Sequence, residues 1–233
     1  MKRVVITGAG GVIGRALSTG LADDYDLQRW DYAQDGIDLK VADDLEQRFE
    51  GVDAVIHLAW VYTRRHEQQG ELAWGNLQMH RNVLLAAKAA GVSRFIAASS
   101  VHADFFYDWM GPGLLSTDRH HRANGLYGGL KLAVEALDRE HATADFRVAD
   151  IRYGGVTHSG NPHPTDTWER RVWLSHPDVC NLMRTIIAHP GGPDWCHLYA
   201  VSDNQHRVHD TVNPFGWEPR DGSETKMRGE LAP

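Results

Sequence analysis

Residues 1–14 read Met1-Lys-Arg-Val-Val-Ile-Thr-Gly-Ala-Gly-Gly-Val-Ile-Gly14. Val4, Val5 and Ile6 form a short β-branched run, which fits a strand buried on both faces of a parallel sheet. Gly8, Gly11 and Gly14 follow at G-x-x-G-x-x-G, and Val12, Ala16 and Leu17 then recur at helical spacing. The order is strand, tight glycine turn, helix. Glycine lets backbone N–H groups approach a pyrophosphate and lets the helix pack closely on the strand. The helix start offers unpaired N–H donors and a partial positive charge to the anion. The stretch therefore predicts a dinucleotide cradle built from Gly8, Gly11, Val12, Ile13 and Gly14.

The 233 residues suffice for one large domain, or one with a small appendage. Lys and Arg number 24 against 31 Asp and Glu, a net charge of −7. That balance argues against nucleic acid and anionic membranes as partners. No apolar run approaches membrane-spanning length, and the chain enters a strand with no signal-peptide pattern, so a cytoplasmic location is expected. Cys180 and Cys196 form no disulfide framework and no close-spaced metal motif. The 14 histidines, His120-His121 among them, lack metal-site spacing, so no metal is expected.

Further along, residues 25–31 read as the second strand, ending in Asp31. Asp31 follows Gly8 at about the 20-residue spacing expected of the carboxylate that bonds the adenosine ribose. A carboxylate there accepts from both ribose hydroxyls and repels a 2′-phosphate, so NAD is expected over NADP. Arg15 and Arg29 are the opposing charges. Asp38 and Leu39 can lie beside the adenine. Residues 43–49 read as a short helix and 52–59 as the third strand. Ligands gather at the carboxyl ends of strands in open α/β sheets, which places Leu58, Ala59 and Trp60 on the cofactor; His57 reads as a structural histidine.

Residues 71–90 read as a long helix ended by Gly91, with Asn76 inside it, and 94–100 as a buried strand ending in Ser99 and Ser100. Residues 101–123 lack periodicity and carry aromatics, including Phe105, Phe106 and Tyr107, as an ordered loop over a site does. The next helix, 124–141, holds Tyr127 and Lys131 one turn apart on one face. Residues 146–152 are a further strand. The repeated β-α-β pattern specifies an α/β fold, a Rossmann-type doubly wound parallel sheet. The expected division is a dinucleotide-binding domain over 1–155 and a small substrate-binding portion over 156–233. Within the latter, 168–175 is expected to be extended, 176–189 helical, 196–201 a strand and 214–233 a polar tail anchored by Trp217.

G-x-x-G-x-x-G, the acid ending the second strand, Ser99-Ser100, and Tyr127-x-x-x-Lys131 together resemble the extended short-chain dehydrogenase/reductase family, the nucleotide-sugar epimerase/dehydratase group. His57-Leu58-Ala59 and Asn76 match it too. The resemblance implies Tyr127 as general base and acid, Lys131 as its partner, and Ser100 as the hydroxyl that holds the reacting oxygen. Asn76, Ser99, Tyr127 and Lys131 join the cofactor contacts. A free tyrosine has a pKa of about 10; a nearby ammonium stabilises its phenolate and makes it a usable base. The family also implies a homodimer through residues 71–90 and 124–141.

Trp173-Leu-Ser-His-Pro-Asp178, Tyr199-Ala-Val-Ser202, Phe215-Gly-Trp-Glu-Pro-Arg-Asp221 and Ser99-Ser-Val-His102 resemble the uronate dehydrogenase branch, which oxidises C1 of a hexuronic acid with NAD to a lactone. This implies His102 near the sugar and Arg170 or Arg171 on the carboxylate, an arginine fork suiting that group. The chain departs from the branch at Val101, where the branch has Asn, at Gly155-Val156, where it has hydroxyls, and at Gly129-Leu130. A site that loses polar partners does not recognise the same substrate equally well. A sugar or sugar acid remains the expected substrate. The alternatives are an archaeal-type glucose 6-phosphate dehydrogenase, an epimerase or dehydratase with recycled NAD, and a non-catalytic NAD(P) sensor. Ser100, Tyr127 and Lys131 argue against the last.

Overall fold

Six strands form one parallel sheet in the order β2-β1-β3-β4-β5-β6. They are β1 (Arg3–Thr7), β2 (Asp26–Trp30), β3 (Ala54–His57), β4 (Arg94–Ser100), β5 (Arg147–Tyr153) and β6 (Trp195–Ala200). This is a computed structural model and describes residues 1–41, 43–61, 74–104, 106–107, 109, 111–119 and 122–229. The doubly wound architecture expected from the sequence is the one observed. Glu71 and Leu72 of the expected long helix, Phe105, His120, His121 and the end of the tail lie outside the described residues.

Alternation along the strands divides the core into two layers, because successive side chains point to opposite faces. Val4, Ile6, Ile96 and Ile151 pack with α1 (Val12–Gly20) and with a helix at His176–Ala188. On the other face Val5, Val55, Phe95 and Val148 pack with α3 (Leu45–Arg48) and α4 (Trp74–Ala89); the one-turn α2 (Tyr32–Asp35) buries no residue. β1 lies between β2 and β3, so the winding reverses there. The crevice outside the carboxyl ends of β1 and β3 is the place such a sheet reserves for a ligand.

Helix α5 (Gly125–His141) reaches that crevice because of one glycine. A Cβ on Gly128 would collide with the His102 carbonyl oxygen. Its absence seats α5 directly on the short 3₁₀ turn Val101–Ala103 that follows β4. Tyr127 is thereby held beside the end of β4.

The segment after residue 155 supplies β6 to the sheet and α7 (His176–Ala188) to its face. Residues 168–175 are not extended throughout, as expected, but begin inside a one-turn helix, α6 (Thr167–Arg171). Asp166 Oδ1 caps it, accepting from Trp168 N at 2.8 Å and Glu169 N at 3.1 Å. Only Trp173 pairs in extended form, with Gly155. The stretch expected as a polar tail is tied down more firmly than its composition suggests. Phe215 and Trp217 enter the first core layer. Asp178 accepts from Arg220 N at 2.9 Å and Asp221 N at 3.1 Å. A short α8 (Ser223–Met227) follows. No described helix is long and apolar enough to cross a membrane.

Candidate active site

A cavity of about 600 Å³ opens at the crevice. Its floor on one side is the glycine loop: Gly8, Gly11, Val12, Ile13 and Gly14 all line it. Gly8 has φ +69, and a Cβ on it would stand 2.7 Å from Ala59 N. A Cβ on Gly14 would meet the Gly8 carbonyl and lie 2.7 Å from Ala9 Cα. The start of α1 carries no side-chain cap, so its first N–H groups face the cavity without an internal acceptor. Uncapped donors and the absence of a Cβ at Gly8, Gly11 and Gly14 fit a pyrophosphate at this position.

Across the cavity stand Ser100, His102, Asn124, Tyr127 and Lys131. Ser100 Oγ accepts from His102 N at 3.2 Å. The Tyr127 ring lies edge-on to His102 at 5.8 Å and to Trp60 at 6.0 Å between centroids. Asn124 Nδ2 and His102 Nδ1 are 3.0 Å apart. Lys131 is buried, donates to Ala98 O at 2.6 Å, and lies 3.4 Å from the Trp60 ring centre and 5.7 Å from that of Tyr127. Burial lowers Lys131 to about 7, against the opposing carboxylates of Asp150, Asp138 and Glu135.

Those carboxylates belong to a buried layer beneath the site. Glu135 takes a bidentate bond from Arg152, Nε to Oε1 at 2.8 Å and Nη2 to Oε2 at 2.6 Å. It also accepts from Ser99 Oγ at 2.5 Å. Burial alone would raise Glu135, but the hydrogen bonds from Arg152 and His197 outweigh it and hold it below the usual carboxylate range. The layer joins β4, α5 and β5, the elements that carry or flank Ser100, Tyr127 and Lys131.

Next to it, His80 Nε2 lies 2.7 Å from Asp138 Oδ1, and burial keeps His80 neutral, at about 3. Asp138 and Asp150 are buried neighbours, and burial raises both carboxyl groups. Burial raises Asp138 to about 7, with the Glu135 charge adding to it and the Asp150 bond and the Lys131 charge opposing. A value raised in the folded state stabilises fully below the unfolded value of about 4, and that contribution is lost as pH rises through about 7. Asp138→Asn keeps an acceptor for His80 and a permanent donor toward Asp150. Its Tm should therefore gain a few degrees on the parent between about pH 5 and pH 8. A Tm difference independent of pH in thermal unfolding would contradict the raised Asp138 carboxyl.

The other expected residues divide. Leu58, Trp60 and Ser99 line the cavity, whereas Ala59 packs behind Gly8. Asp31 follows β2 and caps α2, accepting from Gly10 N at 2.8 Å and Ala33 N at 3.2 Å. Asp38 is bonded to Lys40 N at 3.0 Å, and Leu39 is buried in the second core layer. Asn76 Oδ1 accepts from Val61 N at 2.8 Å and its Nδ2 donates to Val61 O at 2.9 Å, so its amide clamps the chain after β3. His57 is buried, with Nδ1 2.7 Å from Thr7 Oγ1. Arg29 donates to Ser18 O at 3.0 Å. Arg170 Nη1 lies 3.2 Å from Met227 Sδ, and Arg171 stacks 4.5 Å over Trp168. Neither arginine lines the cavity; their neighbour Glu169 does, with Tyr107, Gly155 and Val172. Asp166-x-x-Glu169 is the signal that was available, since that capping spacing starts a helix and sets which residue faces inward.

Comparison with known proteins extends the picture. The model of the NAD dependent epimerase/dehydratase family matches residues 4–173. An NAD-dependent glucose-6-phosphate dehydrogenase of Haloferax volcanii is 30% identical over 97% of this chain and 97% of its own length. An L-arabinose 1-dehydrogenase (NAD(P)(+)) of the same organism is 28% identical over 97% of this chain and 99% of its own. The crystal structure of uronate dehydrogenase from Agrobacterium tumefaciens superposes with a TM-score of 0.80 at 26% identity, covering 100% of this chain and 91% of that one.

Proposed function

We propose that this chain, which belongs to the NAD dependent epimerase/dehydratase family, is an NAD-dependent dehydrogenase that oxidises a sugar hydroxyl, at C1 of a hexuronic acid or a related aldose. The observation that carries the reading is the meeting of Ser100, Tyr127 and Lys131 with the glycine loop on one cavity. Bound NAD supplies the hydride acceptor. Ser100 Oγ, both donor and acceptor, holds the reacting oxygen. Tyr127 Oη takes the proton of that hydroxyl, and the Lys131 ammonium favours the phenolate that does so. Trp60 and the backbone of residues 98–102 shield the reacting end from water. Asp31, just after β2 and bonded to Gly10 N of the glycine loop, supports NAD over NADP.

The test follows NADH formation with galacturonate, glucuronate, glucose 6-phosphate, neutral aldoses and nucleotide sugars. Formation with a free sugar is expected. No turnover with any of them would overturn the reading in favour of an NAD(P)-binding protein without chemistry.

A further inference from the structure

The sugar end of the cavity carries a charge that the sequence motifs do not suggest. α6 starts at the Asp166 cap, and at about 100° per residue its consecutive side chains leave in different directions. Arg170 goes to Met227 and Arg171 to Trp168, while Glu169 turns into the cavity. Gly155 makes the room. A Cβ there would stand 3.1 Å from Glu169 Oε2, tighter than ordinary contact. The two sites are locked in register by Gly155 N donating to Val172 O at 2.8 Å and Leu174 N donating to Gly155 O at 2.9 Å.

Among the described lining residues Glu169 is the one carboxylate, and the lysine on the same cavity, Lys131, is buried at the opposite end under Trp60. Among the described residues no arginine lines the cavity. Around Glu169 stand Tyr107, Val172, Gly155 and Val156, which offer an aromatic face and apolar walls but no cation. The field there is negative as well: burial raises the Tyr107 hydroxyl, and the charges of Glu169 and Asp166 raise it further. A carboxylate or phosphate on the substrate would meet a like charge on the cavity wall. A neutral sugar would instead donate a ring hydroxyl to Glu169 and lay its C–H face on Tyr107.

We infer that Glu169 is the specificity-determining residue of the site and that the substrate is an uncharged aldose, not a uronate or a sugar phosphate. The inference rests on the sugar-dehydrogenase reading above. Its test compares kcat/KM for L-arabinose, D-galactose and D-glucose with D-galacturonate, D-glucuronate and glucose 6-phosphate, in the parent and in Glu169→Gln. A second arm measures binding of the same sugars to the NADH complex by fluorescence, which needs no turnover. The side chain is exposed, so the isosteric change leaves folding intact.

The parent should favour the best neutral aldose over every anionic sugar by about a hundredfold, and Glu169→Gln should shrink that ratio about tenfold or more. A parent that prefers an anionic sugar, or a ratio that Glu169→Gln leaves unchanged, overturns the inference. Neutral-selective binding without NADH formation upholds it and sinks the dehydrogenase reading alone. If no sugar binds, both fall.

Discussion

Tyr127→Phe lowers kcat for NADH formation by about 10²–10⁴-fold, the usual contribution of a positioned general base, and leaves NAD binding unchanged. The ring keeps its edge contacts to His102 and Trp60 at 5.8 and 6.0 Å. Only the oxygen is lost. The cradle proposed for the dinucleotide is backbone and glycine at the start of α1, on a different element from α5. Steady-state kinetics together with NAD titration separates the two. Unchanged kcat would remove Tyr127 from the chemistry. A parallel loss of NAD affinity would mean that the substitution had disturbed the cavity as a whole.

Arg152→Met costs about 3–5 kcal/mol of stability, because it leaves Glu135 buried without its bidentate partner. Arg152 is fully buried and Glu135 4% exposed. The loss has a functional side. Glu135 also receives Ser99 Oγ, so the ion pair fixes the end of β4 against α5, one residue from Ser100 and two turns from Tyr127. The variant should unfold at much lower denaturant concentration and, where folded, turn over more slowly at unchanged NAD affinity. Replacing both partners, Arg152→Met with Glu135→Leu, should recover most of the stability, since no uncompensated charge remains. A double variant as unstable as the single one would show that the pair acts through packing and not through charge.

The architecture was legible because it rests on short-range signals. Val4-Val5-Ile6 before Gly8 specifies a buried strand and turn, and the same alternation of strand and helix repeats through residue 152. The meeting of Ser100, Tyr127 and Lys131 on one cavity was legible for a similar reason: Ser100 ends a strand, and Tyr127 and Lys131 share a helix face. What escaped depends on partners distant in sequence. Asn76 carries no sequence sign that its amide is bonded to the Val61 backbone, 15 residues before it. The Glu135–Arg152 pair joins a helix to a strand, and neither residue has a sequence pattern that announces burial. In Glu169-Arg170-Arg171 the chemistry of the run drew attention to the arginines, but the phase of α6, set by Asp166, turns the glutamate inward instead.

The most direct test of the account is the stoichiometry of the reaction with the best sugar of the panel. NADH released and sugar consumed are measured in the same sample, with excess NAD. The account predicts one NADH for each sugar oxidised, with the lactone or its hydrolysed acid as product. Sugar converted to an epimer or a dehydrated product with no net NADH would contradict it, and would place the chain with the cofactor-recycling members of its family.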